Sequence, residues 1–506
     1  ILSQFKALLS LMLGLCLMMT GAKAQGLPQE EDAMSYYQSH WKKSVRLLTQ
    51  DSADFIGLPY PYSTPTLAGN MMFQEMYYWD TYFINRGLIA YGSHPQRRGE
   101  STANEKMALT QALNNVNNLI YLVNKLGYVP NANRYSMTNR SQPPLLGAMI
   151  NDIFSITKDT AWLRQALLAL EKEHQWWMLD RSLGLSPQEY DGVKRKKSAA
   201  PALQLNFYGN NASDAFLIRF AQFLKGRLGT GFDSMYRSMN QDSVYGNEGK
   251  KQGRGIQLSY QLLAEAESGW DFTTRFNARC ANIAALDLNC LLYLSEKTLE
   301  NWYKTLRNSK KSRHWKIISE NRKSLINKLF YDKHTGWYWD YDLSKREIRY
   351  HHNAAQFMPY FTGLAEPSSR NKKALNELAH LYIGRFGVHP CLPLSQDSAT
   401  LISNRVHWKT QWDSPNAWPP LTHFVAQSLK NYSGGFGSKA LEEKRHALIL
   451  SMLESVEVQF AITHKFWEKY NLDYGTLQVV NEYPMPDFFG WTAGIYVEYR
   501  LEYAGP

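Results

Sequence analysis

Four carboxylates in the C-terminal half of the chain keep similar company. "AESGWDFTTRF" carries Asp271, "QWDSPNAWPP" carries Asp413, "EKYN" carries Glu468 and "NEYPMPDFFGWTAG" carries Glu482; a fifth acid, Asp80, lies far upstream in "QEMYYWDTYFINRGL". Each is embedded in Trp, Tyr, Gly or Asn. An acid among large rings is rarely buried without a partner, so such a setting calls for a local structural role or a polar ligand. Paired carboxyls of this kind suit the cleavage of a glycosidic bond. One, protonated, helps the leaving oxygen depart, and the other, ionised, activates water or attacks the sugar. Surplus acids, with Asn and Arg, would hold hydroxyls while the Trp rings stack on sugar faces.

Each acid also has a plainer account. Asp271 could cap a helix beginning at Phe272, and Asp413 could close an Asx turn ahead of Pro415. Glu468, in "HKFWEKYNLD", could be an exposed helical Glu beside a Lys. Around Asp80, the spacing of Phe73, Tyr77, Phe83, Ile84 and Leu88 predicts the buried stripe of an amphipathic helix. Taken singly, these readings are at least as good as a catalytic one. Capping does not explain why five aromatic-acid clusters recur from Trp79 to Trp491.

The elements that must position these groups read as helices. "NEKMALTQALNNVNNLIYLVNKLG", "DTAWLRQALLALEKEHQWWMLD", "SDAFLIRFAQFLKG", "IAALDLNCLLYLSEKTLENWYKTL" and "RKSLINKLFYD" repeat apolar residues at helical period, separated by Gly/Pro/Asn/Asp loops. Strand-like alternation is brief, as in "GWYWDYD" (336–342). Helix pairs packed on one another, without a parallel sheet, are the expected architecture.

Composition bounds the rest. At 506 residues, 44% hydrophobic and 20% charged, the chain can bury a large core. Residues 1–24 combine Lys6, an apolar run and Ala22-Lys23-Ala24, the form of a secretory signal peptide, leaving 25–506 as one expected domain. The apolar run is short of the roughly 18 residues that span a bilayer. A secreted or periplasmic location follows as the expectation, with no membrane attachment after removal of the signal. Cys280, Cys290 and Cys391 are too few for a disulfide framework and lack zinc-ligand spacing; no metal or cofactor is expected. The net charge of +11, spread over "VKRKKS" and "SKKSRHWK", lacks the context of nucleic-acid binding and reads as a solvated face.

The segments "MFQEMYYWDTYF", "ESGWDFTTRF" and "QWDSPNAWPP" resemble, in order, signature segments of the trehalases, glycoside hydrolase family 37. So do "VPNANRYSMTNRSQPPLLGAMI" (129–150), "LDLNCLLY", "EKYN" and "EYPMPDFFGWTAG". The resemblance covers roughly 73–494. It implies an all-α fold, the (α/α)6 barrel or six-hairpin toroid, with short irregular or β insertions. It also implies an inverting α-glycoside hydrolase with Asp271 as general acid and Glu468 as general base. Sugar-binding roles carry over to Trp79, Asp80, Asn131, Arg140, Ser141, Gln142, Gly269 and Glu482, and Gln411, Trp412 and Asp413 match a signature segment. A saccharide is the implied partner and a monomer the expected state. Three departures bear on specificity. Met72 stands where the family carries Arg, the Arg-Pro-Glu segment expected near "GFDSMYRSMNQD" is missing with Arg237 a partial substitute, and "GTLQVV" replaces a Gly-rich loop. The substrate expectation is therefore trehalose or another α-glucoside or oligosaccharide. A barrel that binds sugar without catalysis is the alternative, disfavoured because a binder has no need of a separated acid and base.

Overall fold

The computed structural model describes residues 31–93, 101–185, 204–229, 232, 254–392, 410–436 and 438–503. The proposed signal segment, "VKRKKS" and Arg237 lie outside these residues. In chain order the helices are α1 (Ala33–His40), α2 (Tyr78–Gly92), α3 (Ala103–Leu126), α4 (Leu146–Thr157) and α5 (Thr160–Asp180). They continue with α6 (Asp214–Leu228), α7 (Arg254–Ser268), α8 (Leu286–Thr305), α9 (Ser309–Leu329) and α10 (Met358–Phe361). The last are α11 (Ser369–Tyr382), α12 (Pro419–Phe436), α13 (Lys439–Thr463) and α14 (Gly490–Tyr503).

Packing sorts them into two rings. Helices α2, α4, α8, α10, α12 and α14 each pack on the next, and α14 returns to α2 to close the inner ring. Outside them lie α3, α5, α9, α11, α13 and α1, alternating with the inner helices along the chain. This is the (α/α)6 barrel. The sequence of each helix matches its ring. Outer α3 opens with a capping box between Thr102 and Glu105, ends on Gly127 at φ 92°, and buries the face of Ala108, Ala112, Val116, Leu119 and Val123. Inner α2 is covered on nearly every side, with Tyr78, Trp79, Tyr82, Phe83, Asn85, Leu88 and Tyr91 all buried. Two neighbours and an outer helix surround it, so the expected single stripe gives way to all-round burial. Phe73, expected in that stripe, precedes the helix in a loop, at φ 58°.

Other boundaries also shift for tertiary reasons. Ile283 and Ala284 pair with Asp342 and Tyr341 as strands, so α8 starts at Leu286. The basic "SKKSRHWK" run forms the first turns of α9, capped by the Asn308 side chain. No helix begins at Phe272. Helices α6 and α7 stand apart from the two rings and carry a satellite core of Leu224, Phe232, Leu258, Leu262, Phe272 and Ala278. Strand pairs are only two or three residues long. One of them, Asn416–Ala417 against Tyr470–Asn471, ties the loop before α12 to the loop after α13. Cys280, Cys290 and Cys391 are buried free thiols.

Candidate active site

The inner helices α2, α4, α12 and α14 bring their N-terminal ends to one side of the barrel, where a cavity of about 180 Å³ opens. Trp79 and Asp80 come from the first turn of α2, and Asn131, Arg140 and Gln142 from the loop between α3 and α4. Gly269 and Asp271 follow α7, Gln411 and Trp412 precede α12, and Glu468 and Glu482 lie between α13 and α14. Eleven of the thirteen residues singled out from the sequence thus line one cavity. Trp79 stands 5.6 Å from Trp412 and 6.0 Å from Trp491, ring centre to ring centre, forming the apolar wall.

The loops are locked by buried hydrogen bonds. The Trp79 amide donates to Gln142 Oε1 at 3.0 Å, and the Tyr78 amide donates to the Asn131 carbonyl at 3.1 Å. Gly269 takes φ +76°, and a Cβ there would lie 2.9 Å from the Trp79 ring, so only glycine lets the loop approach this wall. Ser141 and Asp413 are buried behind the cavity. The Ser141 hydroxyl donates to the Val129 carbonyl at 2.6 Å. Asp413 accepts from Thr273 Oγ1 at 3.0 Å and from the Thr274 amide and hydroxyl at about 3.1 Å, clasping the stretch of chain that follows Asp271.

Three buried polar atoms in this region have no partner among the described residues: Asp271 Oδ1, Arg140 Nε and Gln411 Oε1. All three residues line the cavity. Buried groups of this kind normally find partners, so an unpaired acceptor, donor and acceptor around one cavity fit a ligand bearing hydroxyls.

The acids separate electrostatically. Burial, then the nearby charge of Glu468, pushes Asp80 up to about 8. Burial and the charge of Asp271 raise Glu482 to about 7, against the pull of Arg227. Burial raises Asp271 to about 6, opposed by Arg140. Glu468 differs from the three in its partners. Its Oε2 accepts from Lys469 Nζ at 2.5 Å and its Oε1 from the Tyr483 hydroxyl at 2.5 Å. Two donors on one carboxylate, and burial against the other three, give the acids different settings within one cavity.

Sequence reasoning passes over several residues that build this site. Lys469 sits inside "EKYN" but reads there only as a neighbour of Glu468. Arg227, at the end of α6, pairs with Glu482 at 2.8 Å and stands near Asp271. Glu267 accepts from the Ser141 amide at 2.8 Å, the Gly209 amide at 2.5 Å and Arg181 Nε at 2.9 Å, joining three loops. Glu265 accepts from the amides of Phe272 and Ala278 and so braces the turn after Asp271. The repeated acids of "AEAES" are the available signal. Conversely, Met72 does not line the cavity, whereas Phe73 does.

Fold and pocket together define a glycoside hydrolase built on an (α/α)6 barrel. The description of the trehalase family matches residues 23–504, and the chain belongs to that family. It is 28% identical to a trehalase of Tenebrio molitor over 84% of this chain and 69% of that one. It is 27% identical to the periplasmic trehalase of Xanthomonas campestris pv. campestris over 94% and 74% of the two chains. Among solved structures, the neutral trehalase of Saccharomyces cerevisiae superposes with a TM-score of 0.63 at 24% identity, over 95% of this chain and 81% of that one. A family 63 mannosylglycerate hydrolase from Thermus thermophilus gives 0.55 at 14% identity, over 94% and 100%. Among the described residues, no helix is long and apolar enough to cross a membrane and no cluster of metal-ligand type occurs.

Proposed function

We propose that this member of the family hydrolyses α,α-trehalose with inversion, Asp271 donating the proton to the leaving glucose and Glu468 activating the water. The observation that carries this assignment is the contrast between the two carboxyls. Asp271 keeps its proton up to about pH 6 and has a buried oxygen with no partner among the described residues. Glu468 is gripped by an ammonium and a phenol, both of which bind the ionised form. Asp80, Arg140, Gln142, Gln411 and Glu482 would hold the sugar hydroxyls, and Trp79 and Trp412 would pack on its faces. Ser141 and Asp413 would act through the loops they brace. With Met72 outside the cavity lining, its departure from the family's Arg gives little reason to look beyond trehalose.

Asp271→Asn and Glu468→Gln should each lower kcat by about 10²–10⁴-fold while leaving the fold intact, because general acid-base assistance contributes on that order per group. Near-normal turnover in either variant removes that residue from the mechanism. A panel of trehalose, kojibiose, nigerose, maltose and isomaltose should show the highest kcat/KM on trehalose. Proton NMR of the first turnovers should show α- and β-glucose in equal amounts, since inversion converts one ring and releases the other as α. Initial release of α-glucose alone would mean retention.

The reading includes action outside the cytoplasm. The apolar run and Ala22-Lys23-Ala24 support it, as does the periplasmic name of the Xanthomonas relative. Cell fractionation tests it: activity confined to the cytoplasmic fraction would refute it.

A further inference from the structure

Lys469 is fully buried, with its side chain 0% exposed, and its ion-pair partner Glu468 is 1% exposed. Removing both charges from water costs several kcal/mol per ion, which only good geometry offsets, so apolar residues would serve a merely structural purpose as well. The ammonium is fixed from behind. It lies 4.6 Å from the centre of the Trp418 ring, which stacks on Trp412 at 3.9 Å with an interplanar angle of 1°. Trp412 stacks on Trp270 at 5.6 Å, and the Arg275 guanidinium lies 4.8 Å beyond. Arg275 is itself clamped by Asp287 and Asp340, at 2.7 and 2.9 Å. A column of three indoles between two cations therefore runs from the barrel core to the carboxylate of Glu468.

We infer that Lys469 is the positioning residue of the base: held by this column, its ammonium keeps the Glu468 carboxylate charged and aimed into the cavity. The inference rests on the reading of Glu468 as the base. Lys469 does not itself line the cavity, so it acts through Glu468 and not through substrate. The other groups facing Glu468 cannot replace it. Asp80 from α2, Asp271 after α7 and Glu482 before α14 are acids and offer it no positive charge. Tyr483 contributes a hydrogen bond without charge. Arg140 faces Asp271.

Lys469→Met should move the acid limb of the kcat profile up by about 1–3 pH units, the usual effect of losing an adjacent opposite charge. The KM for trehalose should change less than about threefold, as no cavity-lining group is removed. Lys469→Arg should bring the limb back toward its original pH. A uniform loss of kcat at every pH, with the limb in place, would indicate a structural role and overturn the inference. If Lys469→Met does not fold, Lys469→Gln carries the same expectation, keeping length and a donor but no charge. A readout in unmutated protein is independent of both. With [15N]lysine labelling, the slowly exchanging buried ammonium should change shift across the acid limb, and Glu468→Gln should abolish that response. An ammonium resonance indifferent to the limb overturns the inference. Substantial turnover in Glu468→Gln would instead overturn the assignment of the base, so the two failures are separable.

Discussion

At the scale of single residues, burial dominates, and its sign can be followed through pH. Asp271 donates its proton only while it holds one, so kcat/KM should fall as pH rises through about 6. A profile flat to pH 8 would exclude it as the acid. Asp80 shows the same physics acting on stability. Its carboxyl is raised to about 8 by burial, so its contribution is full below the usual carboxyl range and is lost as pH rises through about 8. Asp80→Asn keeps the shape and removes that loss. Its melting temperature should therefore exceed the parent's by more at pH 9 than at pH 5. The same variant should lose roughly two- to tenfold in kcat/KM, the value of a neutral hydrogen bond to the sugar. Equal melting differences at both pH values would show that Asp80 is not held neutral. The acids were legible because they stood among aromatic residues. Lys469 and Arg227 were not, since a Lys beside a Glu or an Arg near a helix end is commonplace on a surface, and only packing buries the Lys and brings the Arg to Glu482.

At the scale of elements, the site depends on how closely inner helices meet. Where α2 crosses α14, Gly87 faces Gly494, and a Cβ on Gly494 would lie 2.3 Å from the Phe83 carbonyl oxygen. Backbone cannot yield as a flexible side chain can. Gly494→Ala should destabilise the protein by about 1–3 kcal/mol and also lower kcat, because Trp79 and Asp80 ride on the same helix. At Gly434, near the solvent-exposed end of α12, an added Cβ would meet no other atom within 4 Å. Ala there should leave melting unchanged or slightly higher, so the pair separates close packing from helix propensity. Helix existence was readable because apolar period is a local property. Whether a helix belonged to the inner or outer ring was less so. The inner helix α2 shows this: Asn85 is buried through a hydrogen bond from Asn115, 30 residues away.

At the scale of the whole molecule, stability and catalysis share one buried clamp. Arg275 is wholly enclosed between Asp287 on α8 and Asp340, and the tryptophan column rests on it. Arg275→Met would leave two buried carboxylates without their partner and should cost about 3–5 kcal/mol, read from denaturant midpoints. A loss under about 1 kcal/mol would mean that the clamp is not a keystone. Burial alone would raise Asp340, but Arg275 holds it below its ordinary value. That contribution is present above the ordinary carboxyl range and lost as pH falls through the depressed value, the opposite direction to Asp80. Sedimentation of the purified chain should give a monomer, and one cooperative melting transition should accompany the single expected domain.

Local chemistry was enough to reveal much of this protein. Helical period and loop residues pointed to an all-helical architecture, and the acids set among rings, with the order of the signature segments, led to eleven residues that share one cavity. These features depend on residues near one another in the chain, so sequence could report them. What only the tertiary structure decided was the environment of each group: which acid is desolvated, which is held by an ammonium, and which of Ser141 and Gln142, adjacent in sequence, faces the cavity. Charge state and orientation come from partners far away in sequence, such as Asp413 on Thr273 and Arg275 on Asp340, and low-dielectric burial magnifies their effect. Such partners are chosen when the ring of helices closes.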